Sequence, residues 1–228
     1  MSRHPAAERI WEGFCSRFDI ARKAVPLFEV DALGTVKTRM VGRGETARPV
    51  LQRSLAMDSM ILEEVQKLTQ DWATGQPRLD GLIYCMGHRQ GQQFLPLYIG
   101  KAETLGKGQG NLSVNLQHLE RDTSKFARWG DNYAYHIGDL SACVLPGHPA
   151  TKRTAKYQAW ADALFERVPC ETPVLKEPVY FWAKAWDRSW LGVWAELGAS
   201  RLAFLEYMLI GVASLMSDRL LNREGLAR

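Results

Sequence analysis

Two tyrosines and one glutamate are the residues whose types and surroundings suggest chemistry. The stretch DGLIYCMGHRQGQQFLPLYIGKA, residues 80–102, carries Tyr84 and Tyr98, each beside a glycine-bearing turn of sequence. A tyrosine can pass a proton, but its ordinary pKa near ~10 makes it a weak base at neutral pH unless a cation or a partner base assists. Glu206 sits inside the longest apolar run, LAFLEYMLIGVASLM. At about 100° per residue it falls among Leu202, Leu209, Ile210 and Ala213, and Phe204, Met208, Gly211 and Leu215 make the other side apolar too. The pattern predicts a helix buried nearly all round. A carboxylate there must be neutral, paired with a cation or bound to a metal, because bare burial costs several kcal/mol.

Other chemistries find little support. Cys15, Cys85, Cys143 and Cys170 show neither a Cys-x-x-Cys pair nor zinc-ligand spacing with histidine, and read as isolated thiols of a reducing compartment. His4, His88, His118, His136 and His148 are scattered. The GKGQG stretch lacks the Lys-Ser/Thr ending of a phosphate-binding loop and reads as a flexible loop. No nucleophile elbow occurs. With 29 basic and 25 acidic side chains the chain is mildly basic, which permits a nucleic-acid partner without demanding one. The apolar run at 202–216 is short for a membrane span and the N-terminus is no secretory signal, so the expectation is a cytoplasmic protein without a membrane partner.

The elements that must position these residues can be read from periodicity. Residues up to about Val25 and residues 50–73 have helical spacing, with Asp58 or Ser59 as an internal cap, and a small strand pair lies between them. TGQPRLDG, residues 74–81, is a turn-rich boundary that separates a 1–78 N-terminal extension from a 79–228 domain. Residues 82–100 form a hairpin with GHRQGQQ as its loop. NLSVNLQHLERD, 111–122, reads as a helix and NYAYHIGDLSACVL, 132–145, as a third strand. A helix over 152–168 puts Tyr157, Trp160, Ala161 and Leu164/Phe165 on one side. Residues 178–186 are a fourth strand, and the apolar helix runs from about 200 to 216. The fold class is therefore α+β, a small, mainly antiparallel central sheet flanked by helices behind a mostly helical N-terminal extension. Trp182, Trp186, Trp190 and Trp194, spaced by four, read as packing aromatics rather than a base-stacking platform. Arg39, Arg43 and Arg48 around the first strand pair read as a solvated loop, with phosphate contact as the alternative.

Taken together, Leu82-Ile83-Tyr84, Tyr98-Ile99-Gly100 followed by Lys101, the helix holding Glu206 and the late Asn222 resemble the GIY-YIG nuclease family. The second motif is intact; in the first, Leu82 takes the glycine place and Gly81 stands one step earlier. The resemblance spans residues 79–225. It implies a DNA endonuclease that hydrolyses phosphodiester bonds by direct attack of water. Glu206 matches the carboxylate that holds one divalent ion, Mg2+ or Mn2+. Tyr84 and Tyr98 match the site tyrosines, with Tyr84 taking the proton of the attacking water. Lys101 is placed to lower a tyrosine pKa or to touch phosphate, and Asn222 to hold the site or the scissile phosphate. His118 fits the histidine of the helix after the second motif. Val114 and Asn115 stand where that helix usually carries an arginine, so either Arg121 or Arg128 reaches in or the cation is missing. Arg128 is the choice, with His136 close by in sequence. A restriction or defence enzyme is the expected role; a structure-specific repair nuclease and an inactive nucleic-acid-binding module are the alternatives.

Overall fold

The computed structural model describes residues 4–106 and 110–227. The GKGQG stretch lies partly outside the described residues, at positions 107–109. In chain order the elements are α1 (Pro5–Phe18), α2 (Ile20–Lys23), β1 (Val25–Pro26), β2 (Thr38–Val41), β3 (Arg48–Leu51), α3 (Leu55–Ala73), β4 (Leu79–Gln90), β5 (Gln93–Glu103), α4 (His136–Val144), α5 (Ala155–Leu164), β6 (Tyr180–Asp187) and α6 (Leu202–Met216). Among the described residues, β1, β6, β4 and β5 form one antiparallel sheet in that order, and β2 and β3 form a separate pair. The class is α+β. No helix of the described residues is long and apolar enough to cross a membrane.

Strand alternation divides the core into two layers. Leu82, Tyr84, Met86, Phe181, Ala183 and Ala185 point to one face, which α3, α4 and α5 cover. Ile83, Cys85, Ile99, Trp182 and Trp186 point to the other, against α1 and α6. β1 is an edge strand of the main sheet, so the N-terminal segment contributes to the same layers. The hairpin is longer than the sequence suggests. Its arms stay paired to Gln90 and Gln93, leaving only Gly91 and Gln92 as the turn.

Several elements differ from the sequence reading. Residues 136–144 are α4, not a strand. Every residue of that helix is buried, so no polar face marks the helical period and the apolar run mimics alternation. Residues 111–122 are a chain of turns. Asn and Ser side chains there compete for backbone groups, Gln117 donates to the Leu112 carbonyl at 2.7 Å, and His118 has φ of 57°. Helix α3 starts at Leu55 under a Ser54 cap, whose Oγ accepts from the Met57 amide at 3.0 Å, and has no internal restart at Asp58 or Ser59. Helix α6 buries Leu202, Leu205, Leu209, Val212 and Ala213, but leaves Phe204 and Tyr207 about half exposed (48% and 52%), so it is apolar all round without being buried all round.

Candidate functional site

The site is built on the hairpin edge. β5 is the outermost strand of the sheet, so side chains from both of its faces can meet around its free side. In register, Tyr84 opposes Gly100, Met86 opposes Tyr98, and Ile83 opposes Lys101. Gly100 is required by this arrangement: a Cβ there would stand 2.6 Å from Tyr84 Cε2 and 2.7 Å from its hydroxyl oxygen. The Tyr84 ring therefore lies across the Gly100 backbone. Gly81, with φ of 148°, serves a different purpose, since its Cβ would collide with the Ala102 carbonyl at 2.2 Å. Leu82, beside it, is a core residue.

A cavity of about 530 Å³ opens beside this edge and is lined by Tyr84, Tyr98, Lys101, Arg128, His136 and Glu206, among others. Residues spread over 123 positions of the chain, from 84 to 206, thus meet at one place. Asn222 is not among them. Its amide bonds both backbone groups of Ile99, accepting from the nitrogen at 3.0 Å and donating to the oxygen at 2.8 Å. Together with the Leu221 amide on the Leu97 carbonyl at 2.7 Å, this covers the free edge of β5. Asn222 holds the strand that carries Tyr98 and Lys101.

On the α3/α4/α5 side, Tyr84 Oη lies 3.0 Å from His136 Nε2, and His136 Nδ1 lies 2.8 Å from Tyr157 Oη. Burial pushes the Tyr84 pKa well above its ordinary value, and burial with Lys156 and Arg128 holds His136 well below its own. The imidazole is therefore neutral, with one nitrogen donating and the other accepting. Burial also raises Tyr98, to about 12. Arg128 is the cation that pulls Tyr84, Tyr98 and Tyr157 back down. The sequence expectation gave that effect to Lys101, which instead donates to Glu103 at 2.6 Å and lies 3.9 Å from Glu206. Burial raises the Glu206 carboxyl to about 7, partly offset by Lys101.

Arg128 arrives by an unusual route. Phe126, Ala127 and Arg128 all have positive φ, at 30°, 49° and 79°, a run that costs β-carbon-bearing residues energy and persists only under outside constraint. The constraint is visible. The Ala127 amide donates to the Asn115 carbonyl at 2.7 Å. Buried Arg53 donates to the Trp129 carbonyl at 2.8 Å and to Asp131 at 3.1 Å, and its guanidinium lies 4.2 Å from the Phe126 ring centroid. Arg39 also binds Asp131, and Arg48 donates to Asn132 Oδ1 at 3.1 Å. Arg39 and Arg48 thus grip the Arg128 loop rather than lie in solvent, while Arg43 is exposed. Arg128 itself stacks its guanidinium 5.3 Å from the Tyr135 ring centroid and faces no carboxylate within ion-pair distance among the described residues. Arg121 and His118 line a separate surface cavity with α3, so neither reaches the tyrosines.

Lys156 is a site residue that the sequence reading did not single out. Its ammonium lies 4.9, 5.2 and 5.4 Å from the ring centroids of Tyr98, Tyr157 and Trp160, and donates to Tyr98 Oη at 3.4 Å. Burial and Arg128 lower its pKa. The signal was its place four residues before Trp160, on the edge of the apolar side of α5. Trp182 and Trp186 are buried in the core, and Trp190 packs edge-on to Trp186 at 5.4 Å, so these tryptophans form no open stacking surface.

Among the described residues, no group of three or more His, Cys, Asp or Glu side chains is arranged to hold a metal. The acidic groups on the cavity are Glu206 and Glu103. No family model matches the chain, and neither a curated protein nor a solved structure matches it.

Proposed function

We propose that this protein is a metal-dependent DNA endonuclease of the GIY-YIG type, hydrolysing a phosphodiester held in the Tyr84–Tyr98 cavity. The observation that supports this reading is the company Arg128 keeps. A guanidinium without an acidic partner is fixed by a strained, heavily braced loop beside two tyrosines, a neutral histidine and an under-compensated carboxyl. Structural arginines are normally paired; one aimed unpaired into a cavity suits an anion, and its fork of donors suits phosphate.

Within this reading, Arg128 and Lys156 bind the phosphoryl oxygens and stabilise the charge that grows on them. As the water attacks phosphorus and the bond to the leaving oxygen breaks, Tyr84 takes the water's proton and passes its own to His136 Nε2, whose basicity rises because the bound phosphate offsets the Lys156 and Arg128 charges that otherwise hold it low. This requires the tautomer with the proton on Nδ1, which then donates to Tyr157. The leaving oxygen takes its proton from solvent. The relay removes the difficulty of a buried tyrosine as base, because Tyr84 never has to rest as a free phenolate. Asn222 keeps β5, and with it Tyr98 and Lys101, in place.

Glu206 fits a hard divalent cation by its chemistry: an oxygen donor whose burial is only partly offset by Lys101. Magnesium is commonly held by one or two carboxylates and otherwise by water and phosphate, so the absence of a larger ligand cluster is compatible with it. When bound, such a cation would supply charge neutralisation at the phosphate.

The test is cleavage of supercoiled plasmid and of branched or bulged duplexes in Mg2+ and in EDTA. The reading expects Mg2+-dependent cutting that Glu206→Gln abolishes while DNA binding persists. No cutting of any substrate by the wild type overturns it.

A further inference from the structure

Next to the cavity just described is a second one, of about 310 Å³, lined by Tyr98, Lys156, Glu206, Tyr207, Ile210, Asn222, Arg223 and Glu224. Tyr98, Lys156 and Glu206 line both, so the two spaces share a wall. The exposed aromatic on the second cavity is Tyr207, one residue after Glu206 on α6, with 52% of its surface free. The ring packs against the 225 segment. Gly225, at φ of 75°, approaches so closely that a Cβ there would stand 3.0 Å from Tyr207 Cδ1 and 3.3 Å from Ile210 Cγ2. An exposed aromatic packed against the Gly225 backbone is a preorganised stacking surface.

The polar groups around it fix the chemistry of the occupant. Glu224 accepts hydrogen bonds and, with Glu206, offsets the charges of Arg223 and Lys156, so this space lacks the net positive charge that favours a second phosphate. Arg223 donates. Arg223 as donor and Glu224 as acceptor, on the same cavity as the Tyr207 ring and Ile210, suit the edge and face of a nucleobase. Lys156, on the shared wall, carries hydrogens not used by Tyr98 and can hold the phosphate between the two spaces.

We infer that the Tyr207 cavity is a nucleobase subsite that receives one unpaired base of the strand whose phosphate lies against Arg128 and Lys156. This inference rests on the phosphodiester reading above and narrows its substrate class. A base stacked within a perfect duplex cannot enter a side cavity without leaving the stack, a cost that an unpaired or bulged base largely avoids. DNA carrying an unpaired nucleotide is therefore the preferred substrate, which favours a structure-specific nuclease over a restriction enzyme.

The experiment measures binding by fluorescence anisotropy in EDTA, so that cleavage does not interfere. The probes are a labelled perfect duplex and the same duplex with one bulged adenosine. Wild type should bind the bulged probe about tenfold more tightly. Tyr207→Ala should bring the ratio close to one, and Tyr207→Phe, which keeps the ring, should retain it. A folded Tyr207→Ala variant, with an unchanged melting temperature, that keeps the full ratio overturns the subsite, as does a wild type that binds both probes equally. A wild type that binds neither overturns the nucleic-acid reading as well, so the two failures are distinguishable.

Discussion

Two groups of cations, one bound to the 123–135 loop and one on the cavity beside it, are treated in opposite ways. On one side, Arg39 and Arg53 converge on buried Asp131, and Arg53 also binds Asp58 at 2.6 Å. Arg39, Arg53, Asp58 and Asp131 are all paired there. On the other side, Arg128 and Lys156 face tyrosine rings and a cavity without an ion pair among the described residues. Arg128 is carried by that same loop and Lys156 by α5. The contrast separates cations that build the structure from cations left available to a ligand, a distinction that charge counting along the sequence cannot make.

That contrast can be broken first on the saturated side. Replacing Arg53 with Met leaves Asp131 buried beside a lone surface arginine and removes the brace on the Trp129 carbonyl. Loss of one partner of a buried pair costs roughly 3–5 kcal/mol, so urea denaturation should show a loss on that order. On the unsaturated side the sign should invert. Arg128→Gly relieves a positive φ and removes an uncompensated charge, so it should hold stability or raise it by up to about 1 kcal/mol, while cutting falls by about a hundredfold or more. Denaturation and a plasmid assay on the same preparation read both effects.

Glu206 sharpens the comparison through pH. Its folded pKa, about 7, lies above its ordinary 4.5, so the folded chain holds the proton more tightly than the unfolded one. Stability is therefore intact below about pH 4.5 and is lost as pH rises through 7, by on the order of 3 kcal/mol if the unfolded carboxyl titrates normally. In metal-free buffer, Glu206→Gln should melt above wild type at pH 8 and no higher than wild type at pH 4.5. A smaller effect is expected from Gly100→Ala. The added methyl forces the Tyr84 ring aside, at about 1–3 kcal/mol, and should disturb the Tyr84 environment seen by tyrosine fluorescence.

The sequence made one part of this arrangement readable and hid another. The hairpin, the strand at 180–187, α5 and α6 stood out because each has a clean period or a long apolar run. That was enough to place Tyr84, Tyr98 and Glu206 on elements that can meet. Helix α4 was hidden because it is buried on every side. The turns of 111–122 were hidden because apolar residues at helical spacing lie among Asn and Ser that bond the backbone instead. Arg128 could be reached only by eliminating other arginines: its position depends on three successive left-handed residues and on Arg53, 75 positions away. Lys156 passed as an ordinary helix lysine, since the aromatic rings around it come from β5 and α5 together.

The central claim is that the unpaired cations serve a phosphodiester. It is tested most directly by incubating supercoiled plasmid and a duplex carrying one bulged nucleotide with wild type and Arg128→Gly, each in Mg2+ and in EDTA. The account predicts cutting by wild type in Mg2+ alone, and an equally or more stable Arg128→Gly protein that cuts at least about a hundredfold more slowly. Full cutting by Arg128→Gly, or none by wild type under any condition, would contradict it.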